Sequence, residues 1–124
     1  MYKRQDLDYI DDKKMQLYFK AADIVVLPYR KCFMGQSGPL TDGLLNECIV
    51  VGPDWFIIGD TIKSNKCGVL FKPEDSDDLR LKLEYTIENY EEIKKKLISN
   101  IRKYNELTSI EHFQETVKRI IMEN

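Results

Sequence analysis

The chain has 124 residues, 43% of them hydrophobic, with 19 basic and 21 acidic side chains and a formal net charge of −2. That length allows one domain with one real core, and the balanced charge gives no global attraction for nucleic acid or an anionic membrane surface. No stretch is apolar over the length needed to span a bilayer, and the amino terminus MYKRQDLDYIDDKK has no apolar leader core, so a cytosolic protein is expected.

In chain order, Leu7 to Ile10 is a short strand candidate, with Asp11 and Asp12 as caps for a following helix. Met15, Tyr18, Phe19 and Ala22 recur at helical spacing, which predicts an apolar stripe lying on a sheet. Ile24 to Leu27 is continuously apolar, as in a strand covered on both faces, and Pro28 stops it. After a loop with two glycines, Ser37 to Glu47 reads as a helix with Pro39 in its first turn, where a missing N–H costs little. Ile49 to Val51 is a second buried strand, and Gly52-Pro53-Asp54 is read as the turn after it.

Trp55 to Lys63 then suggests a short helix with Ile57, Ile58 and Ile62 facing inward, although Gly59 weakens that pattern. Gly68 to Phe71 is a third buried strand, closed by Lys72-Pro73, and Asp75 to Asp78 offers several caps for a helix beginning near Asp78. Leu79, Leu83 and Ile87 form one helical stripe, and Ile93, Leu97, Ile101 and Tyr104 a second. Ile110, Phe113, Val117 and Ile120 form a third, with Ser109 as its cap. Strands alternating with helices imply an α/β fold with a Rossmann-like parallel sheet, βα units to about residue 75 and a helical tail over 76–124.

In such sheets a ligand sits at the carboxyl ends of strands, where a loop hands over to a helix whose first N–H groups lack intrahelical partners. The segment from Leu27 to Val51 has that form, and its helix start suits a phosphate. Gly35 and Gly38 allow close backbone approach, Gln36 and Ser37 add polar side chains, and Asp42 offers an acceptor one turn on. Each has a plainer reading. Ser37-Gly38 is also an ordinary N-cap with a permissive glycine, and Asp42 a carboxylate complementing the helix dipole. Tyr29, Arg30 and Lys31 read as a solvated surface trio, His112 as structural, and Trp55 either stacks on a base or packs on the next helix. Cys32, Cys48 and Cys67 lie far apart without a CxxC pair, which supports neither a disulfide framework nor a zinc site. They are read as space-fillers near strand ends.

The succession AADIVVLPY, glycine loop, SGPLTDGLL, CIVVG and CGVLFKPEDSDDLRLKL resembles the carboxyl-terminal, donor-binding half of the group 1 GT-B glycosyltransferases, over about Tyr9 to Glu88 with the tail helices also fitting. That resemblance implies transfer of a sugar from a nucleotide-sugar, with no separate cofactor and no metal. It places Gln36, Ser37, Gly38, Pro39 and Leu40 at the donor diphosphate, Asp42 on the ribose hydroxyls, and Met34 and Gly35 toward the sugar, and it assigns no catalytic residue. Where the family carries a sugar-contacting glutamate this chain has Met34, which is no strong acceptor, so that contact is absent or falls to a neighbour such as Gln36. Glu47 and Ile49 stand where the family has glycine and proline before the next strand.

The resemblance further implies an acceptor-binding amino-terminal domain and an upstream basic pair absent from this sequence, so that Met1 is expected to begin an excised or shortened protein. Alone it is expected to bind donor weakly and transfer nothing. The intact enzyme would be cytoplasmic or peripheral to a membrane. The family's strand order also leaves the edge of Ile24 to Leu27 open, to be covered by Leu7 to Ile10 or by self-association. Two other classes remain in view. Asp11-Asp12, Asp54 and Lys72-Pro73 have the flavour of a receiver-like phosphoacceptor signalling module, although the spacing leaves out a strand and a helix. A non-catalytic α/β protein-interaction module is the other.

Overall fold

Three apolar runs form the centre of the molecule in a computed structural model, which describes residues 12–35 and 37–122. They are β1 (Ile24–Val26), β2 (Ile49–Pro53) and β3 (Gly68–Phe71), joined in the order β1-β2-β3 with both pairs parallel. Ile24 is in register with Ile49, and Val50 with Gly68. Every residue of β2 is buried, as its unbroken apolar sequence requires of a central strand. The helices are α1 (Asp12–Ala21), α2 (Gly38–Leu45), α3 (Phe56–Asn65), α4 (Ser76–Glu88), α5 (Tyr90–Leu107) and α6 (Ile110–Met122). The result is the Rossmann-like α/β unit and helical tail that the alternation predicts. No helix among the described residues is long and apolar enough to cross a membrane.

Two glycines decide how closely helices approach the sheet. A Cβ on Gly43 would lie 3.2 Å from methyl carbons of Val25 and Val50, so its absence lets α2 lie directly over β1 and β2. A Cβ on Gly59 would lie 2.9 Å from the backbone carbonyl carbon of Asp54, so the residue that weakens the helical pattern of α3 is what lets α3 fold back on its own entry turn. Leu27, Leu40, Leu44, Val50, Ile58 and Ile62 fill the core, and Ile101 of α5 closes it. Each such side chain contributes about 2 kcal/mol by burial.

The tail is fastened at the helix ends remote from the loop after β1. Asn105 Nδ2 donates to the Leu44 carbonyl (2.7 Å), Asn100 Nδ2 to that of Lys66 (3.0 Å), and Lys94 Nζ to that of Glu47. Those carbonyls belong to the last turns of α2 and α3 or to the residues just after them, where positive charge is favoured; Leu44 O also accepts from Glu47 N (3.0 Å). Glu47 occupies the left-handed region at φ 57°, a conformation that suits glycine, and its carboxylate pairs with Arg102 at 3.2 Å. Ile49 donates its N–H to Asp23 O (3.0 Å), a bond proline could not make.

Several sequence expectations change. Gly52 and Pro53 belong to β2 rather than to a turn. Leu27 N bonds Val51 O and Asp54 N bonds Phe71 O, so by alternation the backbone of Pro53 faces the side on which β1 has already ended, and no ladder bond is lost. Ile57 is 41% exposed because the inward row of α3 is Ile58, Gly59 and Ile62. In α4 the inward place after Leu83 belongs to Thr86, whose hydroxyl donates to Lys82 O (2.7 Å), while Ile87 is exposed. That helix starts at Ser76, two residues before Asp78, because Asp75 is the cap and accepts from Asp78 N (2.9 Å).

On α1, Met15 and Tyr18 are exposed, and the helix packs chiefly on α2 instead of laying a stripe on the sheet. The stripe of α6 is likewise open to solvent at Phe113 and Ile120. The Leu7 to Ile10 strand, the Asp11 cap, Gln36 and the His112 side chain lie outside the described residues.

Candidate functional site

The segment between β1 and α2 is held at both ends by short-range chemistry. At its start Leu27 is buried and donates to Val51 O (2.9 Å), and Pro28 ends the strand. Within it the rings of Tyr29 and Phe33 stack at 4.5 Å, and Phe33 N closes a turn on Arg30 O (3.0 Å). The trio Tyr29, Arg30 and Lys31 is therefore not simply solvated. Tyr29 OH lies 3.4 Å from Ser37 Oγ, Arg30 pairs with Glu74 at 3.7 Å, and Lys31 N donates to the same carboxylate oxygen (3.3 Å).

At the far end Ser37 is extended, 3% exposed, and caps α2, its Oγ accepting from Leu40 N (3.2 Å) and its carbonyl from Thr41 N (3.2 Å). This trims the set of free donors the sequence suggested. Leu40 N–H is used by the cap, Pro39 has none, and Gly38 N–H is left without an acceptor among the described residues. Around it there is room. A Cβ added to Gly35 or Gly38 would meet nothing within 4 Å among the described residues, and Gly35, Gly38 and Pro39 are all exposed.

Asp42 stands four residues beyond Gly38, about 6 Å along the helix axis. Its carbonyl accepts from Asn46 N and Nδ2, while its half-buried carboxylate has no hydrogen-bond or ion-pair partner among the described residues. A carboxylate with no protein donor among the described residues, beside an open helix start, has acceptor capacity for a hydroxyl. Met34 is 53% exposed at the loop tip, and Leu40 turns its side chain into the core, leaving only its backbone on the site side.

Trp55, Lys31 and Glu74 form a network that sequence reasoning did not find. Trp55 Nε1 donates to Lys31 O (3.0 Å), Lys31 Nζ lies 5.2 Å from the centre of the indole, and Phe56 meets the same ring edge-on. The indole thus meets the first residue of the next helix and does not stand free. It reaches from the end of β2 to the loop after β1, and Glu74 reaches to the same loop from the end of β3. The hint in the sequence was a tryptophan placed directly after a strand end.

A cleft of about 340 Å³ opens between this loop (Pro28, Tyr29, Arg30) and the segment after β3 (Phe71, Glu74, Leu79). Ser37, Gly38 and Asp42 do not line it, so this cleft and the sequence-predicted site do not coincide; the helix start is the better candidate because it offers an unused donor and an unused acceptor among the described residues.

Among the cysteines, Cys48 and Cys67 are buried just before β2 and β3, and Cys32 is exposed in the loop, not a space-filler. Burial pushes the Cys67 thiol up to about 11 and raises that of Cys48. The receiver-like reading gains nothing from the geometry. Asp54 is ion-paired to Lys63 at 2.9 Å, and only α3 and β3 separate it from Lys72. Compared with known proteins, the chain matches the family model of glycosyl transferases group 1 over residues 6–104, from ahead of α1 into the last turn of α5. No curated protein matches it.

Proposed function

Because this chain belongs to the group 1 glycosyl transferases, we propose that the loop through Met34 and Gly35 and the first turn of α2 form the nucleotide-sugar donor subsite of a GT-B enzyme. The observation that carries the reading is one juxtaposition: an open, unpartnered N–H at Gly38 and, one turn on, a half-buried carboxylate at Asp42 with no partner among the described residues. In this reading Gly38 N–H and the positive end of α2 meet the distal phosphate, and Ser37, Pro39 and Leu40 shape the backbone there. Ser37 contributes through its main chain, its Oγ accepting the cap bond from Leu40 N and lying 3.4 Å from Tyr29 OH. Asp42 accepts from the ribose hydroxyls, and Met34 and Gly35 face the sugar. Gln36, assigned to the same diphosphate, lies outside the described residues.

The chemistry follows from the charges. The bond between the sugar's anomeric carbon and the diphosphate oxygen breaks, a bond to an acceptor oxygen forms, and the acceptor's hydroxyl proton passes to the leaving diphosphate or to water. Negative charge gathers on the leaving diphosphate, where prepositioned donors are worth most. The reading assigns this charge to backbone N–H groups and the helix dipole and calls on no metal or cofactor. The acceptor subsite is assigned to a second α/β domain. Positioning the acceptor supplies much of the rate, so the chain alone binds donor weakly and transfers nothing.

Two variants test the assignment. Asp42→Asn keeps the size and weakens a charge-assisted hydrogen bond, costing about 1 to 2 kcal/mol of nucleoside-diphosphate affinity. Gly38→Val fills the space a phosphate would use and weakens a nucleoside diphosphate far more than the bare nucleoside. Unchanged diphosphate binding in both would return Ser37 to Asp42 to an ordinary capped helix.

A further inference from the structure

The loop that carries the proposed donor site makes two kinds of contact. Its own residues stack and turn on one another, and two side chains from elsewhere in the sheet take hold of its first half. Trp55, from the end of β2, donates to Lys31 O at 3.0 Å and lies under the Lys31 ammonium at 5.2 Å. Glu74, from the end of β3, accepts from Lys31 N at 3.3 Å and pairs with Arg30 Nε at 3.7 Å. Lys31 is therefore held through both its carbonyl and its N–H, from two strand ends that are far from it in sequence. Met34 and Gly35, between this clamp and the Ser37 cap, make none of these contacts and are exposed.

From this arrangement we infer that Trp55 and Glu74 are positioning residues for the donor loop: they act through Lys31 to hold Met34 and Gly35 where a sugar diphosphate meets α2. The inference rests on the donor-site reading above. Its physical basis is ordering entropy. An exposed glycine-bearing loop left free would lose backbone freedom on binding, at about 1 to 2 kcal/mol per residue fixed, and contacts already made in the free protein remove part of that loss. Each contact is solvent-exposed and weak alone. Their effect comes from two strand ends acting on one residue. Glu74 itself sits in the left-handed region at φ 59°.

The test uses the full chain with UDP, GDP and ADP, titrated by calorimetry. Trp55→Phe retains an aromatic ring for Lys31 and removes the N–H donor together with the five-membered ring that carries it. Glu74→Ala removes the acceptor, and Glu74→Gln restores an acceptor oxygen without the charge. Trp55→Phe and Glu74→Ala are each expected to weaken the bound diphosphate about five-fold, the equivalent of one net hydrogen bond, with Glu74→Gln within about two-fold of the unmodified chain. Amide hydrogen exchange at Phe33, whose N–H closes the turn on Arg30 O, should speed up in the two weakened variants while exchange in β2 stays unchanged. That separates positioning from general loss of stability.

Trp55 is the chain's one tryptophan, so its emission in the unmodified protein should follow the calorimetric curve. If Trp55→Phe and Glu74→Ala bind the diphosphate as tightly as the unmodified chain, the positioning role is overturned and the donor site stands. If the unmodified chain binds none of the three, the donor-site reading falls and takes this inference with it.

Discussion

Gly59→Ala should destabilise the protein, although the same change in an ordinary helix interior stabilises by about 1 kcal/mol. The new methyl would lie 2.9 Å from the carbonyl carbon of Asp54, 3.0 Å from its Oδ1 and 3.1 Å from its Cα. Carbon atoms pack comfortably at about 3.5 to 4.0 Å, so something must move. Neither side can do so cheaply: Asp54 N is bonded to Phe71 O at 2.9 Å, its carboxylate is held by Lys63, and Gly59 N bonds Trp55 O at 3.1 Å. Overpacking costs about 1 to 3 kcal/mol, and because two of the three close atoms are backbone the upper part of that range, about 2 to 3, applies; the propensity gain of about 1 then leaves a net loss of about 1 to 2. Gly38→Ala is the matched control, since its methyl meets open space, and it should be neutral or slightly stabilising. Equilibrium urea unfolding, followed by Trp55 emission and far-ultraviolet circular dichroism, should show the Gly59→Ala midpoint lower by about 1 M. A midpoint equal to or above that of the unmodified protein would refute the claim that this glycine sets the approach of α3.

Lys66 caps α3 in the left-handed region at φ 49° with an exposed side chain, so Lys66→Gly should stabilise by about 1 kcal/mol and raise the melting temperature by about 4 °C in calorimetry. Native-state labelling with a thiol reagent at neutral pH should modify Cys32 and spare Cys48 and Cys67, all three reacting once the chain is unfolded. Because the folded Cys67 thiol titrates near 11 against an ordinary 9.0, folding keeps a proton that the unfolded chain releases, and stability should decline as pH rises from 9 toward 11. The outer edge of β1 has no strand partner among the described residues, and a free apolar edge is expected to be covered, by another segment of the chain or by a second copy. Sedimentation showing only monomer, together with rapid amide exchange along Ile24 to Val26, would contradict both.

The sheet was legible because its strands are short, continuously apolar and bounded by proline or glycine, which leaves one way to read Ile24 to Leu27 and Gly68 to Phe71. Helix faces were legible only where tertiary packing agrees with simple four-residue spacing, as at Ile93, Leu97 and Ile101. Where a polar residue takes an inward place, the pattern misleads: Thr86 satisfies its own hydroxyl on Lys82 O and so can be buried in place of Ile87. Pro53 was read as a turn because sequence does not show on which side of β2 a neighbour has already ended. At the site, the helix start at Ser37-Gly38 could be read from local chemistry alone. The spending of Ser37 Oγ and Leu40 N–H on each other, and the reach of Trp55 and Glu74 to Lys31, depend on which strand ends lie side by side, which no local pattern carries.

The most direct measurement is a backbone amide titration of the ¹⁵N-labelled chain with a nucleoside diphosphate. The Gly35, Gly38 and Asp42 resonances are expected to shift together and saturate at one dissociation constant, while the bare nucleoside moves Asp42 but leaves Gly38 nearly still. Saturable shifts confined to residues remote from the start of α2, or none at millimolar nucleotide, would contradict the assignment of this loop and helix as the donor site.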